Sequence, residues 1–465
     1  MRRLSRRKLL ETGLAMGAGM ASLPVLTAAG AAPAKPRRGG TLVAAAEVDP
    51  VSLDPHTNSN FSAAEGFEHL YESLTGYDEK NELVPVLAQK WEITNGGKTY
   101  VFHLRPNVKF HNGQTMTADD VKYSVDRVLD PKTASPWVGW FDSIAEVKVV
   151  DPLTVQMNLK APYPGLLGSF AGMRASGIIP KGLAERENLA IKGVGTGPFK
   201  LVEYVPQDHI TYTRHADYWD KPLPYLDGMT FKILTEENAR LAALRAGQIQ
   251  YALLFNVRNA DQLKGNPAFR VMLSTIANVT LHYINVSKKP LSDWRVRKAM
   301  RMAVDTNEVI QKAEQGAGVP CGPIPTGYGD WYLDPKTLPY NKPDIEGAKK
   351  LLAEAGYPNG AGLKIEMKCS PQYPFYVATT LVVQDSLKKL GIDAQVVQQE
   401  WGTFVKDHNT ELKTGGKEGG EIFCSGNCFW NSSLRELDAC WMHAASTSLS
   451  MTWSTADVTS PCWNK

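Results

Sequence analysis

Beyond Leu26 the chain has no apolar run of the roughly 18 or more residues that a membrane-crossing helix needs, so nothing after that point is expected to span a bilayer. Cysteine is scarce as well. The first is Cys321, which leaves no thiol near the start for a lipid anchor, and release rather than tethering is the expectation. Cys424, Cys428, Cys440 and Cys462 crowd the end at spacings that match no common zinc pattern; no metal is expected there, and a disulfide among them stays open. Signatures of catalysis are missing too. No G-x-S-x-G elbow, H-E-x-x-H helix or G-x-x-x-x-G-K-[ST] loop occurs, so a secreted enzyme is the disfavoured reading, and no catalytic residue, metal ligand or cofactor is assigned. Neither sign of charge prevails. Lys and Arg total 51 against 48 Asp and Glu, and five of those bases but one of the acids fall in the first 34 residues, so the remainder is close to neutral and offers no broad basic face to nucleic acid.

What is present begins with "MRRLSRRKLLETGLAMGAGMASLPVLTAAGAAPA". Arg2, Arg3, Arg6, Arg7 and Lys8 precede a modestly apolar run from Leu9 to Leu26 and then small residues, the build of an export signal over residues 1–34. Its Ser5-Arg6-Arg7-Lys8-Leu9-Leu10 core is similar to the twin-arginine motif, whose receptor reads paired guanidinium groups and whose translocase carries folded cargo. A periplasmic protein exported by that route is expected. The 465 residues, 43% apolar and 21% charged, suit a globular chain of several domains.

One stretch, "KTYVFHLRPNVKFHNGQTMTADDVKYSVDRVLDP", gathers a strand, a turn and a helix. Tyr100, Phe102 and Leu104 alternate with Val101, His103 and Arg105, the period of a half-buried strand. Asn112-Gly113 supplies a turn, Thr117 with Asp119 and Asp120 a helix start, and Pro131 a stop. Those acids are accounted for as helix-start residues, and His111 has no local partner for catalysis, so the stretch reads as scaffolding. Farther on, "ENARLAALRAGQIQYALLF" predicts a helix closed by Gly247 and then a strand. "DIEGAKKLLAEAGY" and "TTLVVQDSLKKLGIDAQVVQQEW" predict two more glycine-closed helices, the second running into a strand. Repetition of that order marks mixed α/β lobes.

Three blocks carry a resemblance. "WEITNGGKTYVFHLRPNVKFHNGQTMTADDVKYSVDRVLDP", "GTGPFKLVEYVPQDHITYTRHADYWDKPLPYLDGMTFKIL" and "LHYINVSKKPLSDWRVRKAMRMAVD" resemble, in order, signatures of the extracellular solute-binding proteins of family 5. The resemblance spans roughly residues 39 to 405. It implies an α/β, two-lobed periplasmic binding protein, type II-like with an extra domain, and a ligand cleft between lobes joined by a two-crossover hinge. The implied division is 35–73 and 195–284 for the first lobe, 74–194 for the extra domain and 285–430 for the second lobe. The implied role is capture, as a monomer, of an oligopeptide, oligosaccharide or similar solute for the membrane permease of an ABC importer.

Candidate ligand residues follow from those landmarks: Asn58, Ser59, Asn60 and Phe61 in an early loop; His282 and Tyr283 in the strand before Asn285; Gly426, Asn427, Cys428, Phe429 and Trp430 in a second-lobe strand; and Trp401 as a further aromatic. Peptide binders of the family carry an aspartate where Trp430 stands here, a departure that puts an anchored peptide amine in doubt and makes an uncharged or stacked ligand such as an oligosaccharide credible beside a peptide. After about residue 430, "CWMHAASTSLSMTWSTADVTSPCWNK" has no sustained helical period or strand alternation and matches no family landmark. Two readings stand for 431–465: a diverged tail, or a truncated or frame-shifted end that leaves the first lobe unclosed and the product poorly functional.

Overall fold

The computed structural model describes residues 37–58, 67–78, 82–172, 175–272, 278–320, 334–337, 342–404, 406–407, 420–428 and 449–451. The expectations for the signal at 1–34, for Ser59 to Phe61, and for Phe429 and Trp430 lie outside these residues. So does most of the 431–465 tail.

Three sheets organise the chain from Gly39 onward. The first has the order β1-β10-β9-β8, built from Thr41–Ala46, Gly228–Ile233, His209–Arg214 and Phe199–Val205. A parallel rung pairs Thr41 with Gly228, so the ends of a long excursion meet side by side. The excursion contains a short ladder, β2 Thr75–Tyr77 with β3 Leu83–Pro85. It also contains an antiparallel sheet, β4-β5-β7-β6, from Ala88–Thr94, Thr99–Leu104, Thr154–Leu159 and Ile144–Asp151. The third sheet has the order β13-β12-β14-β11-β15, from Asp393–Gln398, Lys364–Cys369, Ile422–Cys428, Asn278–Ile284 and Leu449–Met451.

The alternation around residue 102 is realised. Tyr100, Phe102 and Leu104 are buried under the Ala118–Leu129 helix, with Val121, Val125 and Val128 packed against the same core. That helix starts in a capping box. The Asp120 carboxylate accepts the Thr117 N–H at 2.8 Å and the Thr117 hydroxyl at 3.1 Å, satisfying a donor that the helix leaves free. Its other oxygen accepts the Lys181 N–H at 2.8 Å, which fastens the helix to a distant loop.

Glycine closes the other helices where the sequence places it. The Glu237–Arg245, Ile345–Glu354 and Pro374–Lys388 helices are followed by Gly247, Gly356 and Gly391 at φ of +70°, +92° and +81°. Two elements differ from expectation. The strand expected after Gly247 reduces to a single bridge, Ala44 with Tyr251, because the chain then leaves the first sheet to carry Phe255 toward the third. The helix expected from Thr379 begins five residues earlier, at Pro374, a residue suited to a first helical turn because no N–H partner is needed there. The strand 278–284, which the family resemblance places at the end of the first lobe, is bonded along its length to β14 of the third sheet. A short piece of the tail, 449–451, pairs with its other edge.

The first two cores meet at a junction that accounts for two of the sequence blocks. Leu70 and Tyr71 cross so closely over the 193–197 loop that a Cβ at Gly195 would lie 2.1 Å from the Leu70 carbonyl oxygen and one at Gly197 2.4 Å from that of His69. Only glycine fits such an approach. Between those glycines the Thr196 hydroxyl donates to Glu72 at 2.8 Å, and the other Glu72 oxygen accepts from Tyr218 at 2.8 Å. Trp219 Nε1 donates to the same carboxylate at 2.9 Å, while its ring carries the Arg105 guanidinium 4.2 Å from its centre.

Candidate functional site

Strands β12, β13 and β14 run parallel, and their carboxyl ends open on one side of the third sheet. In open α/β sheets ligands collect outside such ends, where loops and helix starts converge. Here Cys369 leads through Ser370 into Tyr373 and the 374–388 helix, Gln398 leads to Trp401, and β14 continues from Cys424 through Gly426, Asn427 and Cys428.

An aromatic cluster fills this corner. Tyr373 lies 5.0 Å from Trp401 and 5.3 Å from Tyr376, and Phe375 lies 4.4 Å from Tyr376, between ring centres. Trp401 stacks on Phe404 at 5.4 Å. From the segment that leaves the first sheet, Phe255 approaches Tyr373 at 5.9 Å and Phe375 at 6.0 Å. Its backbone is fixed by Glu237, whose carboxylate accepts the Phe255 N–H at 2.9 Å and the Asn256 N–H at 3.1 Å. Tyr373 and Tyr376 are buried, whereas Phe255, Phe375 and Trp401 keep partly open faces. The cluster's own members present ring faces, phenol hydroxyls and, beneath them, the Cys369 and Cys424 thiols.

The sequence-derived candidates divide. Trp401 is in the cluster, and Gly426 to Cys428 run alongside β11 with Gly426 opposite Thr280. His282 and Tyr283 fall on opposite faces of β11, as strand alternation demands. His282 is fully buried beneath the 374–388 helix, with Nε2 3.5 Å from the Thr380 hydroxyl, and burial pushes its pKa down to about 3. Tyr283 is half-buried on the other face. Asn58 turns inward, its amide donating to the carbonyls of Pro50 at 2.9 Å and Ser52 at 2.6 Å. Sequence reasoning missed Phe255, Tyr373, Phe375 and Tyr376; the run Tyr373-Pro374-Phe375-Tyr376, three aromatics around a proline, is the signal that could have found three of them.

The loop ahead of the early candidates is held by Arg127, Ser135 and Trp137. Arg127 donates to both oxygens of Asp54, at 2.9 and 2.6 Å, and to His56 Nδ1 at 2.8 Å. His56 Nε2 in turn donates to the Gly177 carbonyl at 2.9 Å, so the ring is neutral; burial pushes its pKa down to about 4. Ser135 donates to the His56 carbonyl at 2.6 Å and Trp137 Nε1 to that of Asn58 at 3.0 Å.

The stretch read as scaffolding finds structural partners. His111 Nε2 donates to the Gly197 carbonyl at 3.0 Å and its Nδ1 accepts the Gly195 N–H at 3.3 Å, tying the turn to the junction loop. A concavity of about 610 Å³ lies on the outer face of the 118–129 helix, away from the aromatic cluster. Its walls are spanned by their own pairs, Asp119 with Lys181 at 2.8 Å, Lys122 with Asp126 at 2.7 Å and Tyr123 with Glu185 at 2.7 Å.

Known proteins resemble this arrangement. Residues 82–416 match the description "Bacterial extracellular solute-binding proteins, family 5 Middle". The glutathione-binding protein GsiB of Pectobacterium atrosepticum is 30% identical over 391 residues, covering 83% of this chain and 74% of its own length. That of Escherichia coli K12 is 29% identical over the same span. Among solved structures, AgaA of A. tumefaciens R10 in complex with agropinic acid superposes with a TM-score of 0.76 at 29% identity, covering 86% of this chain and 79% of that one. DppA of Helicobacter pylori in complex with the peptide STSA gives 0.73 at 28% identity, with coverages of 84% and 78%.

Proposed function

The chain belongs to the bacterial extracellular solute-binding proteins of family 5, and on that footing we propose that it captures a small solute between its lobes and hands it to the membrane permease of an ABC importer. It does this as a monomer. The observation that carries the reading is the aromatic corner, where Phe255 from the first-lobe segment meets Tyr373, Phe375 and Trp401 at the carboxyl ends of the second-lobe strands. Closure around a ligand there exchanges water for ring faces and needs no chemistry on the solute. Relatives named for glutathione and for a bound peptide favour a short peptide or peptide conjugate, and the aromatic corner favours one presenting an apolar or ring-bearing group. The same faces suit the apolar side of a sugar ring, which keeps an oligosaccharide as the second reading.

Mass spectrometry of small molecules released by denaturing the purified protein identifies the class; a peptide-derived solute is the expected result, and a carbohydrate would select the second reading. With that solute in hand, Trp401→Ala should weaken binding by about tenfold or more while the fold is retained, as for other large aromatic anchors. Unchanged affinity would move the site away from the aromatic corner.

Export is assigned to residues 1–34, through the paired Arg6 and Arg7 ahead of a weakly apolar run. Changing both to lysine keeps the charge but removes the guanidinium groups, and precursor should then accumulate in the cytoplasm. Undiminished periplasmic protein would exclude the twin-arginine route.

A further inference from the structure

Under the aromatic corner, β12 and β14 bring two free thiols together. Their parallel pairing sets Met367 beside Ile422 and Lys368 beside Phe423. One step along, Cys369 and Cys424 occupy neighbouring positions on strands about 4.8 Å apart. Both residues are fully buried, and neither is in a disulfide. Both thiols lie within hydrogen-bonding reach of the Thr380 hydroxyl, which passes its own proton to the Tyr376 carbonyl at 2.7 Å. His282, opposite Cys424 on β11, brings Nε2 to 3.5 Å from that hydroxyl.

We propose that Cys369 and Cys424 form a two-coordinate site for a soft monovalent cation of the Cu(I) or Ag(I) class, at the base of the aromatic corner. Thiolate is the ligand type that selects such ions. Strands about 4.8 Å apart also fall within the roughly 4.4–6.8 Å Cα range of a disulfide, so oxidation is the competing fate of the pair, which is reduced in this structure. An ion with one thiolate on each side joins the two strands without that oxidation. Burial above all holds the Cys424 thiol well above its usual range, so the pair stays protonated until a cation displaces the protons. Loading frees two thiol protons and leaves a complex with one negative charge. Both protons go to solvent.

Silver nitrate in chloride-free buffer, added to the reduced chain and followed by native mass spectrometry, tests the site. One tightly held Ag(I) is expected in a variant whose other cysteines, Cys321, Cys428, Cys440 and Cys462, are replaced by serine. Adding Cys369→Ala or Cys424→Ala should abolish that binding while circular dichroism and the thermal melt remain those of a folded protein. Silver held equally by the alanine variants, or not held by the four-serine variant, overturns the proposal. A mass two daltons low, with the peptides bearing Cys369 and Cys424 cross-linked after digestion, overturns it in favour of a disulfide. Should the alanine variants fail to fold, X-ray absorption on the silver-loaded four-serine variant decides: two sulfur neighbours are expected, and oxygen or nitrogen neighbours alone would refute the site.

Discussion

Arg127→Ala is expected to lower the unfolding free energy by about 3–5 kcal/mol, the range for removing one member of a buried ion pair. The pair with Asp54 is nearly closed to solvent, at 15% and 9% side-chain exposure. The alanine would strand the Asp54 carboxylate and leave His56 Nδ1 without its donor. Burial pushes the Asp54 pKa up, but hydrogen bonds and charge from Arg127, aided by His56, outweigh it and hold the carboxyl below its usual 3.8. The pair's contribution is therefore present above the unfolded pKa and lost as pH falls through the folded one. Chemical denaturation at neutral pH measures the loss. Arg127→Met combined with Asp54→Asn, which removes both charges, should recover a good part of it, because the cost lies in the orphaned charge rather than in the missing bond. If the double variant is no more stable than Arg127→Ala, the loss lies in the bonds from Arg127 to Asp54 and His56 rather than in an orphaned charge.

At the Glu72 junction the expected result is a contribution to stability that falls as pH rises from about 4.5 to about 7, read as the difference from a variant without the carboxyl. Burial lifts the Glu72 pKa to about 7 against the bonds from Trp219, Tyr218 and Thr196, and the Asp220 charge adds to the rise. The native chain thus keeps a proton that the unfolded chain releases, so the contribution is complete below the unfolded value and is lost as pH passes the folded one. Its size is about 3 kcal/mol, at about 1.4 kcal/mol for each tenfold gain in proton affinity. Histidines act in the opposite direction: His56, His69, His111 and His282 are all held neutral by burial, with pKa values of about 4, 4, 3 and 3, so each adds stability as pH rises from its folded value to the unfolded 6.5, and no more beyond it. The difference between the wild type and Glu72→Gln isolates the carboxylate. Glutamine keeps one acceptor for Tyr218 and Trp219 and turns its amide toward Thr196. The two proteins should be similar near pH 5, and the variant more stable near pH 8. Parallel curves would mean that Glu72 stays ionised throughout.

Local periodicity made much of the scaffold readable. Thr117 with Asp120, the alternation of Tyr100, Phe102 and Leu104, and Gly247, Gly356 and Gly391 act through bonds or backbone angles within a few residues. The site was less readable because its parts come from segments whose meeting is set by the sheets. Nothing near Phe255 in the sequence says that it leaves one sheet to touch Tyr373 of another, and reading the last long helix from Thr379 hid the aromatics at its true start. His282 was placed by its landmark beside Asn285, but its side of the strand is decided by Thr380, almost a hundred residues away.

The pairing of β1 with β10 has a further consequence, for the timing of folding. Thr41 finds its partner only when Gly228 exists, and His282 meets Cys424 later still. Contacts this distant carry a large loop-closure cost and fold slowly. During synthesis, at about 5–20 residues per second, the first strand waits many seconds as an unpaired apolar edge before its neighbour emerges. The antiparallel sheet between them, from Ala88 to Leu159, is local by comparison and is placed to fold while the chain is still growing. The growing chain thus carries a formed antiparallel sheet with an unpaired strand, Thr41–Ala46, at its head, and that strand needs protection until Gly228–Ile233 arrives.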